Sequence, residues 1–240
     1  MTRLTTLANS EAVAVRAAQD IALLIAEAIG RRGAAHLALS GGTTPRRAYE
    51  LLAGEGLAWD AVHVWFADER CVPPDDPESN YLLAQQTLLS GASLPAENVH
   101  RMLGELGPEE GASHYAEELS ATLEAADGEP PQLDVIVLGI GPDGHVASLF
   151  PGAQTLDAGE QAICLGVHNS PKPPPERITL SLAVLRAAQR CVLLATGASK
   201  SDAMSAAMAT PSRHVPASLL RRERLTAIVD DAAAPAAPLQ

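Results

Sequence analysis

The sequence predicts a single α/β domain built on a mostly parallel sheet flanked by helices. Three observations carry this. Short apolar segments rich in Val, Ile, Leu and Ala alternate with longer amphipathic stretches, the pattern of βα units. Several of these segments run straight into glycine-rich or polar loops (ALSGGTTP, FADER, VLGIGPDGH), as strands do at the ligand edge of an open sheet. With 240 residues, 47% hydrophobic and 19% charged, the chain can bury a substantial core, and at 3% aromatic residues that core must be mostly Ala, Leu and Val.

Asn9 or Ser10 can cap a long helix running to about Ile29, with apolar positions at Val13, Ala17, Ile21, Leu24 and Ala28, and with Gly30 and Gly33 bracketing its end. A short strand from His36 to Leu39 leads into SGGTTP, and a helix follows from Pro45 to about Ala53. Val62 to Phe66 is the next strand, ending in the polar, proline-rich loop ADERCVPPDDPESN, after which Ser79 or Asn80 can begin the helix YLLAQQTLL. Val99 to Met102 reads as a short strand, Pro108 to Ala126 as a helix, and Leu133 to Leu138 as a buried strand. Strands are expected again at Ala162–Val167, Arg190–Ala195 and Leu225–Val229, with a short helix around Leu182 to Ala188 and another from Ser199 to Met208. The domain is expected to span 1–230, and the low-complexity tail 231–240 to be frayed.

The formal charge of −12 disfavours nonspecific nucleic-acid binding, which needs a basic face. It also means that a site for an anion must gather cations locally. Lys172 and Lys200 are the only lysines among 17 basic residues. A lysine retained in a chain that otherwise uses Arg does a different job, because its charge is a compact ammonium. Cys71, Cys164 and Cys191 are odd in number, scattered and without a CxxC, as for reduced thiols in a cytoplasmic protein rather than a disulfide framework or zinc knuckle. Neither a membrane-spanning apolar run nor the apolar core of a signal peptide is found, so membrane and export are not expected.

Three loops carry candidate chemistry. In LDVIVLGIGPDGHVASLFPG, Asp143 and His145 lie two residues apart just past a strand, as a general base with an orienting partner would; a tight turn whose glycines serve geometry is the alternative. In Ser40-Gly41-Gly42-Thr43-Thr44-Pro45, paired glycines, hydroxyls and a helix start make a phosphate cradle, or a simple capped turn. It is not a P-loop, since no GK[ST] follows. Arg70 of Asp68-Glu69-Arg70 can offer paired donors to a carbonyl or carboxylate oxygen, while Asp68 either accepts a substrate hydroxyl or holds Arg70; an exposed charged turn is the alternative. Lys172, Arg177 and Lys200 are further loop cations, either surface charges or, with SGGTTP, a cluster set against the overall negative charge. Cys71 reads as structural, and His36, His63, His100, His114, His168 and His214 as ordinary surface or strand-end residues. Asp143 and His145 alone are half a metal site, so no metal is expected. Gly139–Gly144 matches GxGxxG only loosely, because Pro142 and Asp143 sit where a pyrophosphate would approach.

Taken in order, ALSGGTTP, FADERCVPPDDPESNY, VIVLGIGPDGHVASLFPG, SPKPPPERITLS and TGASK resemble the 6-phosphogluconolactonase family, collinearly from about Leu37 to Lys200. That family is related to glucosamine-6-phosphate deaminases. The resemblance implies a Rossmann-like α/β fold of the deaminase/lactonase type and hydrolysis of 6-phospho-D-glucono-1,5-lactone to 6-phospho-D-gluconate in the oxidative pentose phosphate pathway. It implies a phosphorylated sugar lactone as the partner and no nucleotide or redox cofactor. The deaminase-like motif carries a glutamate five residues after its histidine, where this chain has Phe150, and DEY where this chain has Asp68-Glu69-Arg70. A cation in place of a carboxylate's proton relay suits an oxyanion. The expected roles are therefore His145 as the base toward water, Asp143 as its support, Arg70 on the oxyanion, and Ser40 to Thr44, Lys172, Arg177 and Lys200 on the phosphate. A deaminase-like enzyme and a non-catalytic sugar-phosphate sensor are the alternatives, and the oligomeric state lies between a monomer and a small homo-oligomer.

Overall fold

The structure is a computed structural model that describes residues 2–123, 125 and 128–235. In chain order the strands are β1 (Arg3–Leu7), β2 (Ala35–Leu39), β3 (Val62–Phe66), β4 (Asp68–Arg70), β5 (Val135–Gly139), β6 (Cys164–Val167), β7 (Arg177–Leu180), β8 (Arg190–Ala195) and β9 (Leu225–Asp230). The helices are α1 (Ser10–Arg32), α2 (Thr43–Leu52), α3 (Asn80–Ala84), α4 (Pro108–Thr122), α5 (Leu182–Ala187) and α6 (Ser201–Met208).

Six strands form one sheet in the order β1-β9-β8-β5-β2-β3, and every pairing in it is parallel. Central strands of such a sheet are covered on both faces and need continuous apolar runs; Val135, Ile136, Val137 and Leu138 of β5 are all fully buried. Helix α1 lies across β9, β2, β8 and β5 and along α2. Asn9 caps it, its Oδ1 accepting from the Ala12 N–H at 2.9 Å, and Gly33 ends it at φ 81°. Its buried stripe includes Val13, Ala17, Ile21, Ile25 and Ala28; each wholly buried isoleucine contributes about 2 kcal/mol, whereas Leu24 lies only half-buried beside the stripe. Among the described residues no helix is long and apolar enough to cross a membrane.

A second, three-stranded antiparallel sheet, β4-β7-β6, stands apart, with α4 packed on β6 and β7. This corrects two expectations. Asp68–Arg70 is a strand rather than part of a loop, and the ERITLS segment supplies its partner, β7. The strand expected at Ala162–Val167 joins this sheet and not the parallel one. Three smaller differences follow. β1 was not anticipated; Val99 makes only an isolated bridge to Val64; and α2 begins at Thr43, ahead of Pro45. The expected end of the fourth helix, Ala126, lies outside the described residues, as do residues 236–240 of the tail. The first part of that tail is not frayed: Ala233 is fully buried, and Ser201 Oγ donates to the Ala234 carbonyl at 2.9 Å.

Candidate active site

From β2 the chain moves outward to β3, and from β5 it moves the other way to β8 and β9, so the sheet has its topological switch point between β2 and β5. Loops leaving the carboxyl ends of two such strands diverge and open a crevice. Here β2 and β5 pair only at Leu37↔Val135 and Ala38↔Ile136. Beyond that, Ser40 Oγ accepts from the Gly139 N–H at 3.2 Å and pins the two strand ends together. The crevice has a volume of about 270 Å³, at the small end for ligand pockets. Ser40, Gly41, Gly42, Thr43, Thr44, Asp68, Arg70, His145, Lys172, Arg177 and Lys200 all line it. Asp143 stands behind His145.

At one end, His145 Nδ1 lies 2.6 Å from Asp143 Oδ1, and Nε2 has no partner among the described residues. An imidazole that donates Nδ1–H to a carboxylate presents Nε2 as a lone-pair acceptor. Burial pushes the His145 pKa below its ordinary value, outweighing the hydrogen bond and charge of Asp143, while Lys172 pushes in the same direction as burial. Burial pushes the other way on Asp143, but its hydrogen bond to His145 and the charges of His145 and Lys172 leave its carboxyl below the usual range. The pair is therefore a neutral imidazole beside a carboxylate at neutral pH. Its close approach depends on Gly141: a Cβ there would stand 2.0 Å from His145 Nδ1 and 2.3 Å from Asp143 Oδ1. The ring of Phe150 packs against His145, with centroids 4.7 Å apart.

Across the crevice, Arg70 Nη1 donates to the Glu78 carbonyl, and its Nε is buried with no hydrogen-bond partner among the described residues. An orphaned buried donor on a guanidinium is costly unless something in the pocket accepts from it. Asp68 is buried beside it. Its Oδ2 accepts from Ser148 Oγ at 2.7 Å and its Oδ1 from Asn80 Nδ2 at 3.2 Å. The intervening Glu69 points the other way, as alternation along β4 requires. It accepts the backbone N–H groups of Arg70, Asn80 and Tyr81 and the hydroxyl of Ser79. Glu69 thus ties the start of α3 to β4.

Also lining the crevice, Gly42 precedes α2 with φ 113°, a conformation that needs glycine. Gly41 touches Asn80: an added Cβ would lie 1.9 Å from Asn80 Oδ1. Tyr49 OH, buried under the loop, accepts from the Ser40 N–H and donates to the Ser40 carbonyl, so the peptide groups of Ser40 are committed to structure. Thr44 Oγ1 shares a hydrogen bond with Thr196 Oγ1 at 3.1 Å. Burial pushes the Lys200 pKa down and neighbouring Lys172 adds to this, while the charge of Asp143 opposes both, so Lys200 is felt by the base pair as well. Four cationic side chains (Arg70, Lys172, Arg177 and Lys200) thus line a crevice in an acidic chain.

The family described as glucosamine-6-phosphate isomerases/6-phosphogluconolactonase matches residues 8–229. The chain belongs to this family. A 6-phosphogluconolactonase of Streptomyces coelicolor is 38% identical over 242 residues, covering 96% of this chain and 92% of that one. Among solved structures, 6-phosphogluconolactonase from Trypanosoma cruzi superposes with a TM-score of 0.85 at 28% identity, covering 97% of this chain and 96% of the other. A monomeric glucosamine-6-phosphate deaminase superposes nearly as well, with a TM-score of 0.80 over 97% and 98% of the two chains, but at 21% identity it shares the fold alone.

For a member of this family, the sequence reading missed three residues that the crevice uses. Asn80 lines it and braces both Asp68 and Gly41; Ser148 links Asp68 to Arg177; Glu69 anchors the whole segment. Asn80 and Glu69 were read as a helix start and a charged turn, and only the pairing of β4 with β7 reveals their burial. Two other expectations sharpen. Cys71 is no nucleophile, since burial pushes its thiol up to about 12. His36 and His63, partly buried near the starts of β2 and β3, and His100, buried, stack with one another and with Trp65 and do not line the crevice.

Proposed function

We propose that this chain hydrolyses 6-phospho-D-glucono-1,5-lactone to 6-phospho-D-gluconate, with His145 activating the water. The carrying observation is the pairing of a neutral, Asp143-anchored His145, Nε2 free, with the Arg70 guanidinium in one crevice. His145 Nε2 takes a proton from water as the water oxygen bonds to the lactone carbonyl carbon. The carbonyl electron pair moves onto oxygen, where the Arg70 guanidinium stabilises it. Collapse of this intermediate breaks the bond to the ring oxygen, which receives the proton from His145. Asp143 holds the ring and steadies the imidazolium between the two transfers. The Gly41–Thr44 turn and Lys200 hold the 6-phosphate and so place the carbonyl. Asp68, already fixed by Ser148 and Asn80, faces a sugar hydroxyl.

The relatives named as 6-phosphogluconolactonases, the clustered cations and the net charge of −12 support a small phosphorylated lactone, not a nucleic acid, as the partner. The reading places the enzyme in the cytoplasm as a monomer or small homo-oligomer, and its chemistry calls on no metal or nucleotide. The test is His145→Ala. We expect kcat to fall by about 10²–10⁴ with KM near normal. A variant with unchanged kcat above the spontaneous hydrolysis of the lactone would remove the base assignment.

A further inference from the structure

We infer that Lys172 and Arg177 serve the base end of the crevice and not the phosphate: Arg177 clamps the proline loop, and the loop holds the Lys172 ammonium against the His145–Asp143 pair. This rests on the reading of His145 as the base and departs from the expectation that both cations bind phosphate.

Arg177 is almost wholly buried on β7. A guanidinium has five N–H donors. Its Nε donates to the Pro174 carbonyl at 3.1 Å, and its Nη2 to the carbonyls of Lys172 and Pro173, each at 3.1 Å. Nη1 reaches Ser148 Oγ at 3.4 Å. Three successive carbonyls thus converge on one side chain, and little donor capacity is left for a ligand. Ser170 completes the fixation: its Oγ donates to the Lys172 carbonyl at 2.9 Å and accepts from the Lys172 N–H at 3.3 Å.

The result is an ammonium at a defined place. Lys172 Nζ lies 3.5 Å from Asp143 Oδ1 and 3.4 Å from His145 Nδ1. A carboxylate 2.6 Å from an imidazole favours its protonated form, which cannot act as a base. A cation at Lys172 offsets that pull, so Asp143 can orient the ring without charging it. The charged groups bearing on His145 are Asp143 from its own loop, Lys172 from the proline loop and Asp68 from β4, while Lys200 and Lys172 act on each other.

The experiment compares Lys172→Met with the parent enzyme on two substrates, the 6-phosphorylated lactone and phosphate-free glucono-1,5-lactone, across the acid limb of the pH profile. Lys172 is 39% exposed at its side chain, so this variant should fold. We expect the acid limb of kcat/KM to move up by about one pH unit, giving roughly tenfold loss below it on both lactones alike. KM for the phosphorylated lactone should change less than about threefold. Arg177→Lys, which frees the loop, should reproduce the shift. A tenfold or greater rise in KM confined to the phosphorylated lactone, with the pH limb unmoved, would make Lys172 a phosphate ligand and overturn the inference. His145→Ala run alongside separates the two levels: full turnover there sinks the base reading itself, whereas loss there with an unmoved Lys172→Met limb sinks only this inference.

Discussion

Gly141→Ala adds one methyl group and aims it at the proposed base. Gly141 is not among the residues with positive φ, so alanine is no strain on the backbone. The cost falls on function. The new Cβ would lie 2.0 Å from His145 Nδ1, 2.2 Å from His145 Cε1 and 2.3 Å from Asp143 Oδ1, against 3.4 Å for an ordinary contact. The imidazole must therefore retreat by about 1.4 Å, or part from its carboxylate. A displacement of about 1 Å in a reacting group is enough for a loss near 10²-fold. We expect kcat to fall by roughly 100-fold, about 2.7 kcal/mol of transition-state stabilisation, with the melting temperature little changed. Hydrolysis releases an acid, so proton release followed by pH-stat, with the uncatalysed rate subtracted, measures it. In a His145→Ala background the same substitution should add little, because its main steric partner is gone. A Gly141→Ala enzyme within twofold of the parent kcat would show that the His145–Asp143 contact is not part of the catalytic geometry.

Two other outcomes are expected. Lys200→Met should raise KM for the phosphorylated lactone about tenfold or more and leave phosphate-free glucono-1,5-lactone unaffected; equal loss on both would remove Lys200 from the phosphate end. The histidine stack should make stability fall in acid. His36 Nδ1 accepts from Trp65 Nε1 at 3.1 Å, and burial, then the neighbouring His63, His100 and Arg32, depresses its pKa from 6.5 to about 4. Between those values the unfolded chain binds the proton and the folded one does not, so the stabilisation is complete above about pH 6.5 and is lost as pH falls toward 4. The full loss is at most about 3 kcal/mol, and roughly half that after screening of a partly exposed ring. Urea unfolding of the parent and of His36→Gln at both pH values measures it; parallel decline in the two would refute the assignment.

The parallel sheet was legible because its strands are buried on both faces and bounded by glycine or polar loops, as at Val135–Gly139. The elements that were not legible are those whose pairing partner is remote. β1, RLTTL, is a short strand with partly exposed residues, stabilised by β9 from the far end of the chain. Asp68–Arg70 is too short and too charged to read as a strand until β7 is known to lie against it. The crevice was largely legible, since SGGTTP, DER and GPDGH each follow a strand and parallel strands bring such loops to one edge. What the order of residues could not supply was division of labour among cations. Arg177 and Lys200 look alike as loop charges, and only burial and donor geometry separate a clamp for the proline loop from a lysine whose ammonium makes no hydrogen bond among the described residues.

The same crevice also bears on why one fold hosts two chemistries. A glucosamine-6-phosphate deaminase superposes on this chain throughout, so the fold does not choose between ring opening and lactone hydrolysis. Residue 150 is one position at which this chain departs from the deaminase-like motif. Phe150 is buried, with its ring against His145 on one side and the Arg177 guanidinium 5.6 Å from its centroid on the other. An apolar ring packed there adds to the burial that disfavours the charged imidazole, leaving the neutral form that can take a proton from water. A glutamate at that place would add a further carboxylate to Asp143 and Asp68 and favour the protonated imidazole. It would also give Arg177 an anion to turn toward, loosening its hold on the carbonyls of Lys172, Pro173 and Pro174. On the proposed mechanism, a phenylalanine at 150 and a clamped lysine at 172 thus act in one direction, toward an uncharged His145, the form that attack by water on a lactone carbonyl requires.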